Sequence, residues 1–406
     1  MLDQEERDGD RVPGKPALAR RRLSILGVTG SIGASTCSVL DSMGPEAFQV
    51  VAVTGNANVA GLAEAARALK AEIAVTADEA ALPALRTALA GSGIEAAGGR
   101  TALIEAAARP VDLLMSAIVG AAGLAPTLAA AKAGAAIALA NKECLVAAGP
   151  LFLQAVEDAG TTLLPVDSEH NAIFQCLTGE RQDTLERLIL TASGGPFRTK
   201  SLDEMARMSV AEAVAHPNWS MGARISIDSA SMFNKALEMI EAWHLFAIAP
   251  ERIEVIVHPQ SMIHSMVGFR DGSILAHLGP ADMRVAIAHA LAWPERTDLP
   301  VERLDFAALG RLDFEPPDLE RFPALRLARE AMARGGLAGC VLNAAKEIAL
   351  DAFIAGRIGF LDIARLVEET MARLDGLGQA TNLDDVFAAD AEARRTGAAL
   401  LDRICA

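Results

Sequence analysis

The sequence lacks several features that mark particular classes of protein. Its five cysteines are scattered and include no CxxC pair, so neither a zinc ribbon nor a disulfide framework is indicated. No window holds about 18 uninterrupted, strongly apolar residues, which a membrane-spanning helix would need. Residues 1–22 have no apolar segment of the kind found in signal peptides. These absences favour a cytoplasmic protein with reduced thiols and no membrane partner.

Basic residues are scarce relative to acidic ones. The 406 residues include 37 Lys and Arg against 52 Asp and Glu, which gives a net charge of −15. A nucleic-acid partner requires a basic surface, so none is expected. The chain is 51% hydrophobic and 22% charged, which is typical of a globular protein, and its length predicts two or three domains.

The apolar runs predict how the chain is divided. Short runs alternate with helical patterns in the first part, which predicts an α/β fold with a doubly wound, parallel sheet. In the central part, residues 253–257 and 262–269 are expected to be antiparallel strands. We therefore predict a disordered extension over 1–22, a Rossmann-like domain over 23–165, an α+β domain over 166–300, a linker over 301–324 and a small helical domain over 325–406.

A glycine-rich turn follows the first predicted strand and precedes a predicted helix. Gly30 and Gly33 occupy the last two glycine positions of a dinucleotide-binding fingerprint, and Gly27 lies one residue early for the first. Backbone N–H groups at the start of such a helix can bind a pyrophosphate. The turn therefore predicts dinucleotide binding, with a plain tight turn as the alternative.

The end of the second predicted strand bears on the choice of dinucleotide. NAD-binding proteins usually place Asp or Glu there, where it hydrogen-bonds the ribose 2′-hydroxyl. Residues 54–58, Thr-Gly-Asn-Ala-Asn, contain no acid, which disfavours NAD and permits the 2′-phosphate of NADP. The next basic residue is Arg67, so the positive evidence for NADP is incomplete. Asn141-Lys142-Glu143 follows another predicted strand, where open parallel sheets place ligand contacts.

Two polar segments predict a metal and substrate site. Asp167 and Glu169 are two residues apart, so on an extended segment their carboxylates would point the same way. Asn234, Lys235 and Glu238 are three or four residues apart and would share one helix face. Three carboxylates suit a hard divalent cation, and Lys and Asn suit the oxygens of a phosphorylated sugar.

Each polar segment also has a structural explanation when it is taken alone. The first two carboxylates could lie on a solvated edge, and residues 193–195, Ser-Gly-Gly, could form a turn. His216 could be a structural histidine, and Ser229 or Ser231 could cap the following helix. The order of these segments along the chain is what favours a single functional site.

Seven sequence blocks in this order resemble the 1-deoxy-D-xylulose 5-phosphate reductoisomerase family. The blocks are G-x-T-G-S-I-G at 27–33, N-K-E at 141–143, V-D-S-E-H-N-A-I-F-Q at 166–175, S-G-G-P-F at 193–197, H-P-N-W-S-M-G at 216–222, D-S-A-S-M-F-N-K-A-L-E at 228–238 and H-P-Q-S at 258–261. The resemblance extends from about residue 23 to the C-terminal helices.

The resemblance implies an activity, two cofactors and a set of site residues. The activity is the isomerisation and reduction of 1-deoxy-D-xylulose 5-phosphate to 2-C-methyl-D-erythritol 4-phosphate, in the non-mevalonate route to isoprenoid precursors. The cofactors are NADPH and a divalent metal, either Mg²⁺ or Mn²⁺ with Co²⁺ as a further candidate. The implied metal ligands are Asp167, Glu169 and Glu238, and the implied catalytic residues are Lys142, Glu169, His216 and Glu238. The implied substrate contacts are Lys142, Ser168, Glu169, Ser193, His216, Ser229, Asn234, Lys235 and Glu238. The implied NADPH contacts are Thr29, Gly30, Ser31, Ile32, Asn56, Ala57, Asn58, Asn141, Glu143 and Gly222.

The resemblance also carries three further expectations. Many family members have a basic residue where Ala57 stands, so how this chain would hold the 2′-phosphate stays open. Residues 216–224 are interpreted as a lid in which Trp219 closes over the substrate and excludes water. The family implies a homodimer.

Two other functions remain as alternatives. Another NADP-dependent dehydrogenase with two domains, such as one acting on an amino-acid semialdehyde, would not need three carboxylates around a metal. A catalytically inactive NADP-binding sensor would be expected to lack a metal ligand or the lysine, and the sequence contains them all.

Overall fold

The computed structural model describes residues 20–219 and 222–404. Most of the extension predicted over 1–22 therefore lies outside the described residues. Its last two residues, Arg21 and Arg22, belong to the first strand of a sheet. Ser220 and Met221 of the predicted lid also lie outside the described residues.

A parallel sheet of seven strands forms the N-terminal part of the described chain. The strands are β1 (Arg21–Leu26), β2 (Phe48–Gly55), β3 (Ile73–Thr76), β4 (Glu95–Gly98), β5 (Leu113–Ser116), β6 (Ala136–Leu139) and β7 (Leu163–Pro165). The helices are α1 (Ser31–Met43), α2 (Val59–Ala68), α3 (Leu82–Ala88), α4 (Arg100–Ala107), α5 (Leu124–Lys132), α6 (Glu143–Val146) and α7 (Gly149–Asp158). The predicted α/β fold is confirmed. Strand β4 was not predicted, because Glu-Ala-Ala-Gly has no apolar run.

The strand order places the predicted ligand-binding segments at one edge of this sheet. The order is β4-β3-β2-β1-β5-β6-β7, so it reverses direction between β1 and β5. Ligands of open α/β sheets bind at the carboxyl ends of the strands beside such a reversal. The glycine-rich turn follows β1, the Asn-Lys-Glu segment follows β6, and the first carboxylates follow β7.

A second sheet has four strands, β8 (Leu185–Ala192), β9 (Ile253–Val257), β10 (Ile263–Phe269) and β11 (Ile274–Leu278), in the order β11-β10-β8-β9. Strands β10 and β11 form an antiparallel hairpin. The expectation that residues 253–257 and 262–269 pair with each other is wrong, because β8 lies between β9 and β10. Strand β9 is parallel to β8, since the long connection between these two strands runs through helices.

Helices surround the second sheet and make up the C-terminal part of the described chain. They are α8 (Ser168–Leu177), α9 (Leu202–Met205), α10 (Val210–Ala213), α11 (Ala223–Ala230), α12 (Phe233–Leu245), α13 (Met283–Ala292), α14 (Phe306–Leu309), α15 (Ala324–Arg334), α16 (Ala338–Ile354), α17 (Asp362–Arg373) and α18 (Leu383–Ile404). The predicted C-terminal helical region is confirmed. The predicted linker contains α14, and its Glu315 forms a β-bridge with Val257 of β9. None of the described helices is long and apolar enough to cross a membrane.

Helix α12 lies in the largest hydrophobic core. Its apolar residues Phe233, Leu237 and Ile240 are buried together with Leu188 of β8 and Leu342 of α16. Because apolar packing on these sides fixes the helix, the polar side chains on its remaining face have a defined position. That face carries the Asn-Lys-Glu set predicted from the sequence.

Candidate functional site

A cavity of about 830 Å³ lies between the carboxyl edge of the parallel sheet and the polar face of α12. The structure brings most of the predicted site residues together in its wall. These residues are Ser31, Ile32, Asn141, Lys142, Glu143, Asp167, Ser168, Glu169, Ser193, His216, Trp219, Gly222, Ser229, Asn234, Lys235 and Glu238. The five other predicted residues, Thr29, Gly30, Asn56, Ala57 and Asn58, are not among the residues that line it.

The glycine-rich turn has the backbone geometry of a nucleotide-binding turn. Gly27 has φ +83°, and a Cβ there would lie 2.6 Å from the carbonyl oxygen of Ala117 in the loop after β5. A Cβ on Gly33 would lie 2.4 Å from the oxygens of Gly27 and Val28. Gly30 is the N-cap of α1 and supplies no side-chain hydrogen bond, so the first N–H groups of the helix are free to bind an anion.

The segment after β2 lies beside this turn. Asn56, Ala57 and Asn58 are all exposed. The Asn58 side chain accepts a hydrogen bond from the Gly61 N–H and caps α2. The nearest basic residue along the following helix, Arg67, donates to the carbonyl oxygens of residues 88 and 90. It therefore points away from the turn.

The first two carboxylates do not lie on an extended segment, so the prediction from their spacing is wrong in this respect. Asp167 is the N-cap of α8 and accepts hydrogen bonds from the N–H groups of Glu169 and His170. A carboxylate at this position is favoured by the helix dipole and by the unpaired N–H groups of the first turn. The two side chains nevertheless reach the same cavity, because Glu169 lies in the first turn of α8.

The three predicted metal ligands converge. Asp167, Glu169 and Glu238 each offer an oxygen atom, and these atoms lie within 4.8 Å of one another. A second group with the same spacing consists of Asp167, His170 and Glu241. Ammonium groups bond carboxylates of both groups: Lys142 donates to Asp167 and Glu241, and Lys235 donates to Glu169 and Glu238. The two groups differ in that the second contains an imidazole, that of His170. A hard cation such as Mg²⁺ prefers oxygen ligands, so the first group is the better metal site.

The net charge of this cluster would be balanced by one divalent cation. Four carboxylates, those of Asp167, Glu169, Glu238 and Glu241, face two ammonium groups, those of Lys142 and Lys235. The formal charge is therefore −2. Because burial makes an uncompensated charge costly, one divalent cation would neutralise the cluster.

The pKa values reflect the same crowding of charge. Burial, together with Asp167 and Glu169, raises the pKa of Glu238 to about 8. Burial likewise raises the pKa of Glu241 to about 7. Although burial opposes it, the pKa of Asp167 is lowered, because Lys142 lies beside that carboxylate. Protons therefore compete for the two glutamates of α12 when no other cation is bound.

The polar face of α12 has the arrangement predicted from residue spacing. The Asn234 amide and the Lys235 ammonium group both donate to the Glu238 carboxylate. Lys235 also donates to Glu169 at 2.7 Å and thereby links α12 to α8. Lys235 and Glu238 are 4% and 0% exposed, so neither is a solvated surface residue.

Ser193 and His216 form a second polar pair at the cavity wall. His216 Nδ1 accepts hydrogen bonds from the N–H groups of Asn218 and Trp219, so its Nε2 carries the proton and donates to Ser193 Oγ at 3.0 Å. Gly195 N–H also donates to this oxygen. The Ser193 hydroxyl proton is therefore left to donate into the cavity. Burial lowers the pKa of His216, which agrees with a neutral ring.

The first part of the predicted lid, residues 216–219, is attached to the loop after β9. The Asn218 side chain donates to the Pro259 carbonyl oxygen and to Ser261 Oγ, which belong to the His-Pro-Gln-Ser block. The half-buried Trp219 ring lies 6.0 Å from the ring of His264. Both rings line the cavity.

The alternative in which a serine caps α12 is not supported. The N-cap of α12 is Met232, which has φ +63° and provides no side-chain hydrogen bond. Ser231 instead donates back to the Ile227 carbonyl oxygen within α11. Ser229 lines the cavity.

Models of the 1-deoxy-D-xylulose 5-phosphate reductoisomerase family match residues 23–149, 163–246 and 278–396, the last two as C-terminal domains. The 1-deoxy-D-xylulose 5-phosphate reductoisomerase of Sinorhizobium medicae (strain WSM419) is 64% identical over 383 residues, which cover 94% of this chain and 98% of the relative. The chain belongs to this family. The enzyme of Rhizobium meliloti (strain 1021) gives the same identity and coverage.

Solved structures of 1-deoxy-D-xylulose 5-phosphate reductoisomerases have the same fold. The Zymomonas mobilis enzyme in complex with NADPH is 54% identical, with a TM-score of 0.89 over 94% of this chain and 99% of that one. A reductoisomerase in complex with NADPH, fosmidomycin and magnesium is 43% identical, also with a TM-score of 0.89, over 94% of this chain and 98% of that one.

Among the residues that sequence reasoning missed are charged ones in or beside the cavity wall. Glu241 holds Lys142, and it could have been found because it lies one helical turn beyond Glu238. Lys346 and Glu347, on α16, reach the cavity from the C-terminal helices. Their only sequence signal is a pair of adjacent charges in a mostly apolar helix.

Proposed function

We propose that this protein catalyses the NADPH- and divalent-metal-dependent isomerisation and reduction of 1-deoxy-D-xylulose 5-phosphate to 2-C-methyl-D-erythritol 4-phosphate, in the non-mevalonate pathway. One observation carries the proposal: the carboxylates of Asp167, Glu169 and Glu238 face the same cavity as the start of α1. A dehydrogenase that only transfers hydride would need the start of α1 to bind the dinucleotide, but it would not need the three carboxylates. Oxidation of NADPH that requires both the pentulose phosphate and Mg²⁺ is the direct test.

The donor set fits Mg²⁺ or Mn²⁺. Asp167, Glu169 and Glu238 would hold the ion, and its charge would match the formal −2 of the cluster. When bound, the metal polarises the substrate's carbonyl oxygen and stabilises developing negative charge. Lys142 and Lys235 would place their ammonium groups beside the substrate oxygens that face the metal. We assign catalytic roles to Lys142, Glu169, His216 and Glu238.

The hydroxyl and amide donors of the cavity would bind the substrate. Ser193 has its hydroxyl proton free, since two N–H groups already donate to its oxygen. Ser229 and Asn234 add neutral hydrogen-bond donors, a hydroxyl and an amide, which suit phosphate oxygens. Lys142, Ser168, Glu169, His216, Lys235 and Glu238 complete the proposed substrate contacts.

The start of α1 would bind NADPH, which supplies the hydride when bound. Thr29, Gly30, Ser31 and Ile32 offer the turn and the first free N–H groups of the helix, which would bind the pyrophosphate. Asn56, Ala57 and Asn58 would face the adenosine end. Asn141, Glu143 and Gly222 would contact the rest of the cofactor.

Ala57→Arg is expected to tighten NADPH binding about fivefold, because an exposed ion pair contributes at most about 1 kcal/mol. Residues 55–66 contain no Lys or Arg, so the substitution would add a cation to a segment that has none. The NADPH dissociation constant can be measured by fluorescence titration. Ala60→Arg, which adds the same charge at an exposed position of α2, should change it little. An unchanged constant in Ala57→Arg would mean that the phosphate is held elsewhere.

Trp219→Ala is expected to raise the KM for the substrate at least about tenfold, an effect of roughly 1.4 kcal/mol. The indole is half-buried against His264 at the cavity wall, so its removal would open the site to water. Steady-state kinetics would show the effect, and Trp219→Phe should restore most of the affinity. If Trp219→Ala had the same KM and kcat as the wild type, Trp219 would not act as a lid over the substrate.

We also propose that the protein is a homodimer that pairs through β11. This strand is the outer edge of the four-stranded sheet, and Ile274 and Leu275 on it are 47% and 41% exposed. An apolar edge strand readily pairs with another chain. The double substitution Ile274→Lys/Leu275→Lys should give monomers in light scattering. Phe306→Lys, at a different apolar residue that is 63% exposed, should leave the dimer intact. A double variant that remains dimeric would exclude this interface.

Two further parts of the proposal concern location and domain roles. A cytoplasmic location agrees with Cys37, Cys144, Cys176 and Cys340, which are all free. Cell fractionation tests it, and recovery outside the cytoplasm would contradict it.

We further propose that residues 23–165 bind NADPH, residues 166–300 bind metal and substrate, and residues 325–406 support them across the linker at 301–324.

A further inference from the structure

Helix α11 connects the predicted lid to the helix that carries the metal and substrate residues. Gly222 of the lid segment is its N-cap, so the last two residues of that segment, 223–224, lie in α11. Its last turn carries Ser229, and α12 begins at Phe233, shortly after α11 ends. The position of α11 therefore sets where the lid is attached and where the Ser229 hydroxyl lies.

Two ion pairs hold α11 against α16 of the C-terminal region. The Lys346 ammonium group lies 2.9 Å from the Asp228 carboxylate, and these residues are 5% and 9% exposed. Arg224, one turn earlier on α11, pairs with Asp351 at an exposed position. The two pairs have opposite polarity, so together they fix both the position and the direction of α11 along α16.

The buried pair is the stronger constraint of the two. Glu347, the neighbour of Lys346, is already bonded by Arg394 at 2.6 Å, so it does not draw Lys346 away from Asp228. Although burial disfavours its charged form, the pKa of Lys346 is raised, because the Asp228 carboxylate lies beside it. Exposed pairs contribute little, whereas removing one partner of a buried pair leaves an uncompensated charge.

We propose that Lys346 and Asp228 are positioning residues for the reaction, which hold α11 so that Ser229 and the lid attachment at Gly222 face the substrate. Lys346 and Asp228 both line the cavity, which places the pair directly behind these groups. The C-terminal helices thereby take part in substrate capture without touching the reacting atoms. The proposal rests on the proposed function, because its effect is read through substrate binding.

The double variant Asp228→Asn/Lys346→Gln tests this role. It removes both charges while keeping side chains of similar size, so no buried charge is left unpaired. If α11 then occupies its binding-competent position for about a tenth of the time, the KM for 1-deoxy-D-xylulose 5-phosphate rises about tenfold. The kcat should stay within about twofold, because saturating substrate selects the competent position. The dissociation constant of NADPH should rise less than KM, because most of the proposed NADPH contacts lie on the parallel sheet and at the start of α1 rather than on α11.

Three comparisons separate positioning from a loss of stability. Ile363→Val shortens a buried side chain of α17 and should lower Tm without changing KM, as expected for a mild core substitution. Lys346→Arg keeps a cation beside Asp228 and should restore most of the affinity. If the double variant does not fold, Asp351→Asn should still raise KM about threefold, because it breaks the second pair between α11 and α16 at an exposed position and leaves no buried charge unpaired.

The outcomes distinguish this proposal from the proposed function. Wild-type protein that does not convert the pentulose phosphate would contradict the function itself. Wild-type protein that converts it, together with a folded double variant whose KM is unchanged, would overturn only the role of Lys346 and Asp228. A KM that rises equally in Ile363→Val would also overturn that role.

Discussion

Replacing Glu238 by Gln is expected to lower turnover roughly a thousandfold, because a bound metal contributes several kcal/mol of charge stabilisation in the transition state. The substitution preserves the size of a side chain that is 0% exposed, so the fold should be retained. It removes one of the three converging carboxylates and one hydrogen-bond acceptor of Lys235. NADPH binding should stay near the wild-type value, since the start of α1 is untouched.

Glu241→Gln is the matched control, because it makes the same change one turn further along α12. Glu241 accepts a hydrogen bond from Lys142 but is not one of the three carboxylates, so its loss should cost about ten- to a hundredfold in turnover. Turnover and NADPH binding should be measured for both variants. A folded Glu238→Gln protein that has lost NADPH binding, or that turns over faster than Glu241→Gln, would contradict the assignment of Glu238.

Removal of divalent cations is expected to abolish activity to a similar degree, and added Mg²⁺ should restore it. The reason is the formal charge of −2 in a buried cluster that also contains the proposed ligands. Without the metal, protons would occupy the cluster, because burial and neighbouring carboxylates raise the pKa of Glu238 to about 8. The measurement is turnover before and after EDTA treatment, with NADPH binding as the control. Activity that survives EDTA would favour the semialdehyde-type dehydrogenase instead.

The parallel sheet could be predicted because its strands are short, buried apolar runs separated by helical patterns. β9 has the predicted bounds, Ile253–Val257. Strand β4 could not be predicted in this way, since Glu-Ala-Ala-Gly has no apolar signal. The order of the second sheet was also inaccessible, because strand pairing depends on packing between segments far apart in sequence. Sequence proximity suggested that β9 and β10 pair, but β8 lies between them.

The site residues could be predicted where several polar residues lie close together in a short segment of the sequence. The spacing of Lys235 and Glu238 alone placed them on one helix face, and the structure shows them bonded to each other. The conformation of Asp167 was predicted wrongly, because a carboxylate before a helix and one at the end of a strand look alike in sequence. Lys346 was missed because it reaches the cavity from a distant helix, and only the tertiary structure reveals this.

Identifying the product shows whether one cavity both rearranges the carbon skeleton of the substrate and reduces the rearranged compound. Wild-type protein should be incubated with 1-deoxy-D-xylulose 5-phosphate, NADPH and Mg²⁺, and the product identified by NMR spectroscopy. The expected product is the branched 2-C-methyl-D-erythritol 4-phosphate, with one NADPH consumed for each molecule formed. Consumption of NADPH with an unbranched product, or no reaction at all, would contradict it.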